Sequence, residues 1–97
     1  NNLVMKKYEM TLVLTEEIGK DEGKQKKLVE ELLSVAGASV KNTNILGARE
    51  LAYPIKGLSR AWYGIFNIEM PAEKVAELDK AIQIKEEILR YLLIVKE

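Results

Sequence analysis

Residues 47–71 read GARELAYPIKGLSRAWYGIFNIEMP. The first part, Gly47 to Gly57, holds an adjacent Arg and Glu, an apolar Leu-Ala-Tyr run, a proline and a lysine. That composition suits an extended, partly buried chain that is blocked at one position and charged at both ends. The segment Lys56-Gly57-Leu58-Ser59-Arg60 separates it from Ala61 to Met70, whose aromatic and isoleucine content favours a second strand. Two extended segments joined by a glycine-containing loop form a hairpin. Pro71 comes next, suited to the first turn of a helix, where its missing N–H is not needed.

Upstream, Tyr8, Met10, Leu12 and Leu14 alternate with Glu9, Thr11 and Val13, the period-two pattern of a half-buried strand. After TEEIGKDEG the spacing changes. Leu28, Val29, Leu32, Leu33 and Ala36 recur three and four residues apart, which is the apolar stripe of an amphipathic helix, and Gly37 is placed to end it in a left-handed conformation. The chain extends again from Ser39, where Asn42, Thr43 and Asn44 disfavour a helix interior. Downstream of Pro71, Val75, Leu78 and Ile82 mark a second amphipathic helix, and ILRYLLIV is a strongly apolar fourth strand.

The order strand, helix, strand, strand, helix, strand predicts an α+β fold of the ferredoxin-like, split βαβ type. Such a fold is a four-stranded antiparallel sheet, ordered four, one, three, two, with two helices on one face and the other face open. Strand two is then an edge strand, where Pro54 is tolerated and blunts uncontrolled pairing. The expected core is Met10, Leu12, Leu14, Val29, Leu33, Val40, Leu51, Phe66, Ile68, Leu78, Leu92 and Ile94. The opposite parity of strands three and four carries Tyr63, Ile65, Tyr91 and Leu93, more apolar than a solvated face should be, and so predicts a protein partner there.

At 97 residues the chain suits one domain with a single core, over residues 5–97, with residues 1–4 an N-terminal extension or remnant ahead of Met5. Hydrophobic residues make up 47% and charged residues 31%, the balance of a soluble globular chain. The longest apolar run, Ile88 to Val95, contains Arg90 and is far below the roughly 18 residues of a membrane helix. The start of the chain lacks the apolar stretch of a signal peptide, so a cytoplasmic setting is expected.

Cysteine and histidine are both absent. Disulfides, thiolate or imidazole metal sites, cysteine nucleophiles and the usual general base near neutral pH are thereby excluded. Asp21 and Asp79 are the only aspartates, and the glutamates mostly neighbour lysines in helical stretches, as solvated helix faces do. Fifteen basic and fifteen acidic residues give a formal net charge of zero, so any nucleic-acid role must come from local clusters or from a partner. The clusters are Lys6-Lys7, Lys24 with Lys26-Lys27, and Arg49, Lys56 and Arg60; the middle one fits a solvated helix face.

Gly47 to Lys56 resembles the signature of the bacterial small-subunit ribosomal protein six family, every restricted position of the pattern being satisfied. The similarity continues in MKKYEMTLVL, GASV, IEMP and ILRYLLIVK, covering essentially Met5 to Glu97. The loop KGLSR is shorter than in some members, and the polar C-terminal tail that several members carry does not follow Glu97. The resemblance implies a structural, non-enzymatic protein of the small ribosomal subunit, with no cofactor, metal or small-molecule substrate. It implies binding to the central domain of small-subunit ribosomal RNA, as a heterodimer with ribosomal protein eighteen, whose positive charge would supply much of the phosphate neutralisation. Lys6, Lys7, Arg49, Lys56 and Arg60 match the family's basic start and signature region and are the candidate RNA contacts, mostly to phosphate and sugar. Tyr53, Tyr63, Ile65, Tyr91 and Leu93 are the candidate protein interface; Leu51 suits the core better.

Two other occupants of this topology fit less well. An RNA-recognition module of the stacking type would need rings on strand one, where the open side offers Lys7, Glu9, Thr11 and Val13. A small-molecule regulatory domain would use the loop after strand one, but Glu16, Glu17, Asp21 and Glu22 there would repel anionic ligands. That loop also lacks the arginine an acyl-phosphate hydrolase of this fold would want.

Overall fold

The alternation around Tyr8 to Leu14 forms a strand because one side of it can be buried completely. In the computed structural model, which describes residues 4–96, β1 spans Met5–Leu14 and Met10 and Leu12 are wholly inaccessible. Next come a single helical turn, α1 (Glu16–Gly19), the long helix α2 (Glu22–Ala36), the strands β2 (Ser39–Ile55) and β3 (Leu58–Pro71), and a 3-10 turn over Ala72–Lys74. Helix α3 (Val75–Gln83) and strand β4 (Ile88–Lys96) complete the order. The sheet is antiparallel throughout and runs β2-β3-β1-β4, the order expected from the sequence. Residues 1–3 and Glu97 lie outside the described residues, and with them most of the expected N-terminal extension.

Helix α2 is closed at both ends by its own sequence. The Asp21 carboxylate accepts a hydrogen bond from the Lys24 N–H at 3.2 Å, satisfying one of the free donors of the first turn. Gly37 turns left-handed with φ of 60°, and the Ala38 N–H returns to the Leu33 carbonyl at 2.9 Å in a Schellman-type closure. Leu28, Val29, Leu32, Leu33 and Ala36 are buried against the sheet, with Leu78 and Ile82 of α3 beside them. The core between the layers adds Tyr8, Leu14, Phe66, Ile68, Met70 and Ile88.

The sequence did not announce α1. Ile18 is buried there, Gly19 lies against the Trp62 side chain, and the buried Gln25 amide donates to the Gly19 carbonyl. Pro71 belongs to β3 rather than to a helix; it is extended (φ −61°, ψ 134°) and precedes the 3-10 turn that leads into α3. The hairpin loop is only Lys56 and Gly57, whose φ values of 51° and 77° supply the two positive angles a two-residue hairpin turn requires, so β3 starts at Leu58.

Four expected core positions are elsewhere. Val40 is exposed, lining with Ile45, Val29, Leu33 and Phe66 a groove of about 380 Å³ where α2 stops short of the edge strand. Leu51 is half-buried, in the part of β2 between Glu50 and Ile55 where pairing to β3 is interrupted. Leu92 and Ile94 are exposed, and Tyr91 and Leu93 pack on the core instead. The cause is a bulge: Val13 pairs with Arg90 but Leu14 with Ile88, so Leu89 is skipped and every later residue of β4 changes face.

Candidate nucleic-acid interface

Pairing registers define what the open face displays, because directly opposed residues share a side. Reading across the sheet from β4 to β2, successive rows are Arg90, Val13, Tyr63, Gly47; then Leu92, Thr11, Ile65, Asn44; then Ile94, Glu9, Asn67, Asn42; and finally Lys96, Lys7, Glu69, Ser39. The face thus grades from an apolar patch made by Tyr63, Ile65, Leu92 and Ile94, with Val13 buried beneath its neighbours, to a charged row at the Lys7 end. Leu92 at 56% and Ile94 at 44% relative exposure are the most solvent-laid members of that patch.

Among the expected interface residues, Tyr63 and Ile65 do lie on the open face. Tyr91 and Leu93 do not; the parity change in β4 turns them to the helix side. There the Tyr91 hydroxyl donates to Asp79 Oδ1 at 3.0 Å and accepts from the Gln83 amide at 3.1 Å, tethering β4 to α3. Leu92 and Ile94 replace them on the open side. The one signal for these two is Arg90, the charged residue on the same parity of ILRYLLIV, while Ile88 at the head of that parity is buried and only the bulge reconciles the two. Tyr53 is 69% exposed in the unpaired stretch of β2.

The candidate basic residues divide between the two ends of the sheet. Leu14 pairs with Trp62, the last β1 contact, so the hairpin beyond Trp62 and Ala48 extends past the rest of the sheet. That projection gives the molecule its 45 × 24 × 21 Å shape. Arg49, Lys56 and Arg60 sit on it. Arg49 opposes Ala61, whereas Arg60 opposes Glu50, so the two arginines emerge on different faces of the hairpin. Arg60 stacks its guanidinium 5.4 Å from the Trp62 ring centroid, a cation–π contact that fixes its direction. Arg49 donates to the Ala48 carbonyl at 3.1 Å and takes no part in the ion pairs found among the described residues. Lys6 and Lys7 start β1 at the other end, pairing with Met70 and Glu69, and Lys7 alone of the two faces the open side. Leu14 lies seven residue steps along β1 from Lys7, which at ~3.4 Å per step places the two basic ends about 24 Å or more apart.

The model of the family described as Ribosomal protein S6 matches residues 7–95. The chain is 33% identical over 91 residues to the small ribosomal subunit protein bS6 of Campylobacter jejuni, covering 93% of this chain and 73% of that one. Among solved structures it superposes on the 30S ribosomal protein S6 of Thermotoga maritima with a TM-score of 0.79 at 18% identity, over 96% of this chain and 89% of that one. It also superposes on the P2 domain of the chemotaxis kinase CheA of Thermotoga maritima, solved with the response regulator CheY, with a TM-score of 0.63 at 14% identity. That match covers 96% of this chain and all of the other, and it speaks to the fold alone. With nearly its whole length matched, the chain belongs to the ribosomal protein S6 family, structural and non-enzymatic components of the small ribosomal subunit that bind its RNA.

Proposed function

We propose that this chain binds the central domain of small-subunit ribosomal RNA as a heterodimer with ribosomal protein eighteen. The observation that carries this reading is the separation of an apolar patch from cationic ends on a chain with no net charge. Leu92 and Ile94, with the half-buried Tyr63 and Ile65, offer an apolar surface for the partner protein, with Tyr53 at the hairpin as a further contact. Arg49, Lys56 and Arg60 at the hairpin, with Lys6 and Lys7 at the other end, offer positive charge to phosphate and sugar. A chain of zero net charge gains little from the RNA field as a whole, so a basic partner supplies the remaining neutralisation.

The test is a titration of the protein onto a central-domain RNA fragment, with and without ribosomal protein eighteen, at two salt concentrations. Tight, salt-sensitive binding that requires the partner is the expected result. Equally tight binding by this chain alone would overturn the heterodimer reading.

A further inference from the structure

The end of the sheet opposite the hairpin holds a depression of about 500 Å³ lined by residues from all four strands, among them Lys7 of β1, Lys41 and Asn42 of β2, Asn67 and Glu69 of β3, and Lys96 of β4. Lys7 and Lys96 are direct cross-strand partners, an arrangement of like charges that opposes sheet formation. Lys41 is the extra residue of a bulge, since Val40 pairs with Ile68 and Asn42 with Asn67, and the irregularity frees it from the ladder. Among the described residues Glu69 is the one carboxylate within 4 Å of any of these ammonium groups: it opposes Lys7 and lies 3.9 Å from the Lys41 Nζ, while Glu9 stands one row away on the same face. Lys96 turns to a neutral acceptor, the Asn67 Oδ1, at 3.3 Å.

We infer that this depression is a second phosphate-binding site, for the backbone of the same ribosomal RNA that the hairpin contacts. The inference rests on the RNA-binding reading above and adds Lys41, Lys96, Asn42 and Asn67 to it. Lys7 and Lys96 have no carboxylate within salt-bridge distance among the described residues, and a phosphodiester placed between them removes the repulsion that the register builds in. Lysines act on phosphate as mobile point charges and need no fixed fork, which suits a shallow site. The paired Asn42 and Asn67 amides supply the neutral donors and acceptors that phosphate and sugar oxygens use. Because the hairpin lies at the far end of a 45 Å molecule, the RNA is held at two separated points rather than at one.

Lys41→Gln and Lys96→Gln, singly and together, are compared with the hairpin variant Arg49→Gln/Lys56→Gln in the titration described above, run from 50 to 300 mM salt. Counterion release predicts that each lysine removed lowers the magnitude of the log–log salt slope by about 0.7–0.9 and weakens binding roughly five- to eightfold at 0.1 M salt. These side chains are exposed and Lys96→Gln relieves the Lys7–Lys96 repulsion, so the free variants should unfold at or slightly above the parent's midpoint. If the hairpin variant loses affinity while the lysine variants keep the parental slope, the second site is overturned and the RNA-binding reading survives. If the lysine variants weaken association with the partner protein in the absence of RNA and leave the RNA slope unchanged, the depression is a protein contact and the inference falls. If neither the parent nor the variants bind the fragment with the partner present, both readings fail together.

Discussion

At the scale of single residues, Gly19 and Tyr91 decide how the layers lock. A Cβ at Gly19 would lie inside the van der Waals envelope of Trp62 Cβ and Cγ, atoms close to the β3 backbone that cannot swing away. Gly19→Ala is therefore expected to destabilise the fold by about 1–3 kcal/mol through overpacking, measured as a lower urea midpoint at unchanged m-value. Tyr91 acts through its hydroxyl, which joins β4 to Asp79 and Gln83 of α3. Tyr91→Phe keeps the ring and should cost about 1 kcal/mol in the same measurement. Arg49 differs from both, since among the described residues its guanidinium has only the Ala48 carbonyl as a partner and contributes little to folding. Arg49→Ala should leave the unfolding midpoint in place and weaken RNA assembly by about 1–2 kcal/mol, the worth of one charge-assisted contact; unchanged affinity at moderate salt would remove Arg49 from the interface.

At the scale of elements, β4 shows how one skipped residue redistributes a whole strand. Leu92 and Leu93 are adjacent and chemically identical, yet one faces open solvent and the other packs on the core. Leu92→Lys should leave thermal stability nearly unchanged while weakening association with the protein partner at least tenfold, seen by calorimetry. Leu93→Lys should instead destabilise the fold by about 2 kcal/mol or more, because it places an ammonium group against apolar side chains. The reverse pair of outcomes would return β4 to the parity that simple alternation predicts. The β2–β3 hairpin is held differently. Its tip depends on the two positive φ angles at Lys56 and Gly57, and beyond Trp62 its two strands pair only with each other, so it presents Arg49, Lys56 and Arg60 without a third strand behind them.

At the scale of the whole molecule, charge is balanced in sum and uneven in place. Fifteen positive and fifteen negative groups cancel, but α1 and the start of α2 take up Glu16, Glu17, Asp21 and Glu22, leaving both ends of the sheet with basic clusters. A free chain of this kind should bind the RNA fragment only in the nonspecific range, a Kd of about 1–100 µM near physiological salt. Filter binding of the isolated protein checks this, and a Kd below about 0.1 µM would show that the surface clusters suffice without a partner.

The six main elements were legible in the sequence because each rests on local periodicity: period two around Met10 and Leu12, three-and-four spacing through Leu28 to Ala36, and the Gly37 stop; the sheet order and helix-covered face followed from the fold type that their order matches. The signature from Gly47 to Lys56 likewise points to the family from sequence alone. Alternation alone misplaced β4, since Arg90 marked the Leu92 and Ile94 parity as exposed while Ile88 on the same parity is buried, and the deciding bulge exists only once Leu14 pairs with Ile88. Nor could it group Lys7, Lys41 and Lys96, which lie on three different strands and meet only in the folded sheet. Local pattern specifies each element, while register, bulges and charge neighbourhoods are properties of pairs of strands far apart in the chain, and tertiary structure alone decides them.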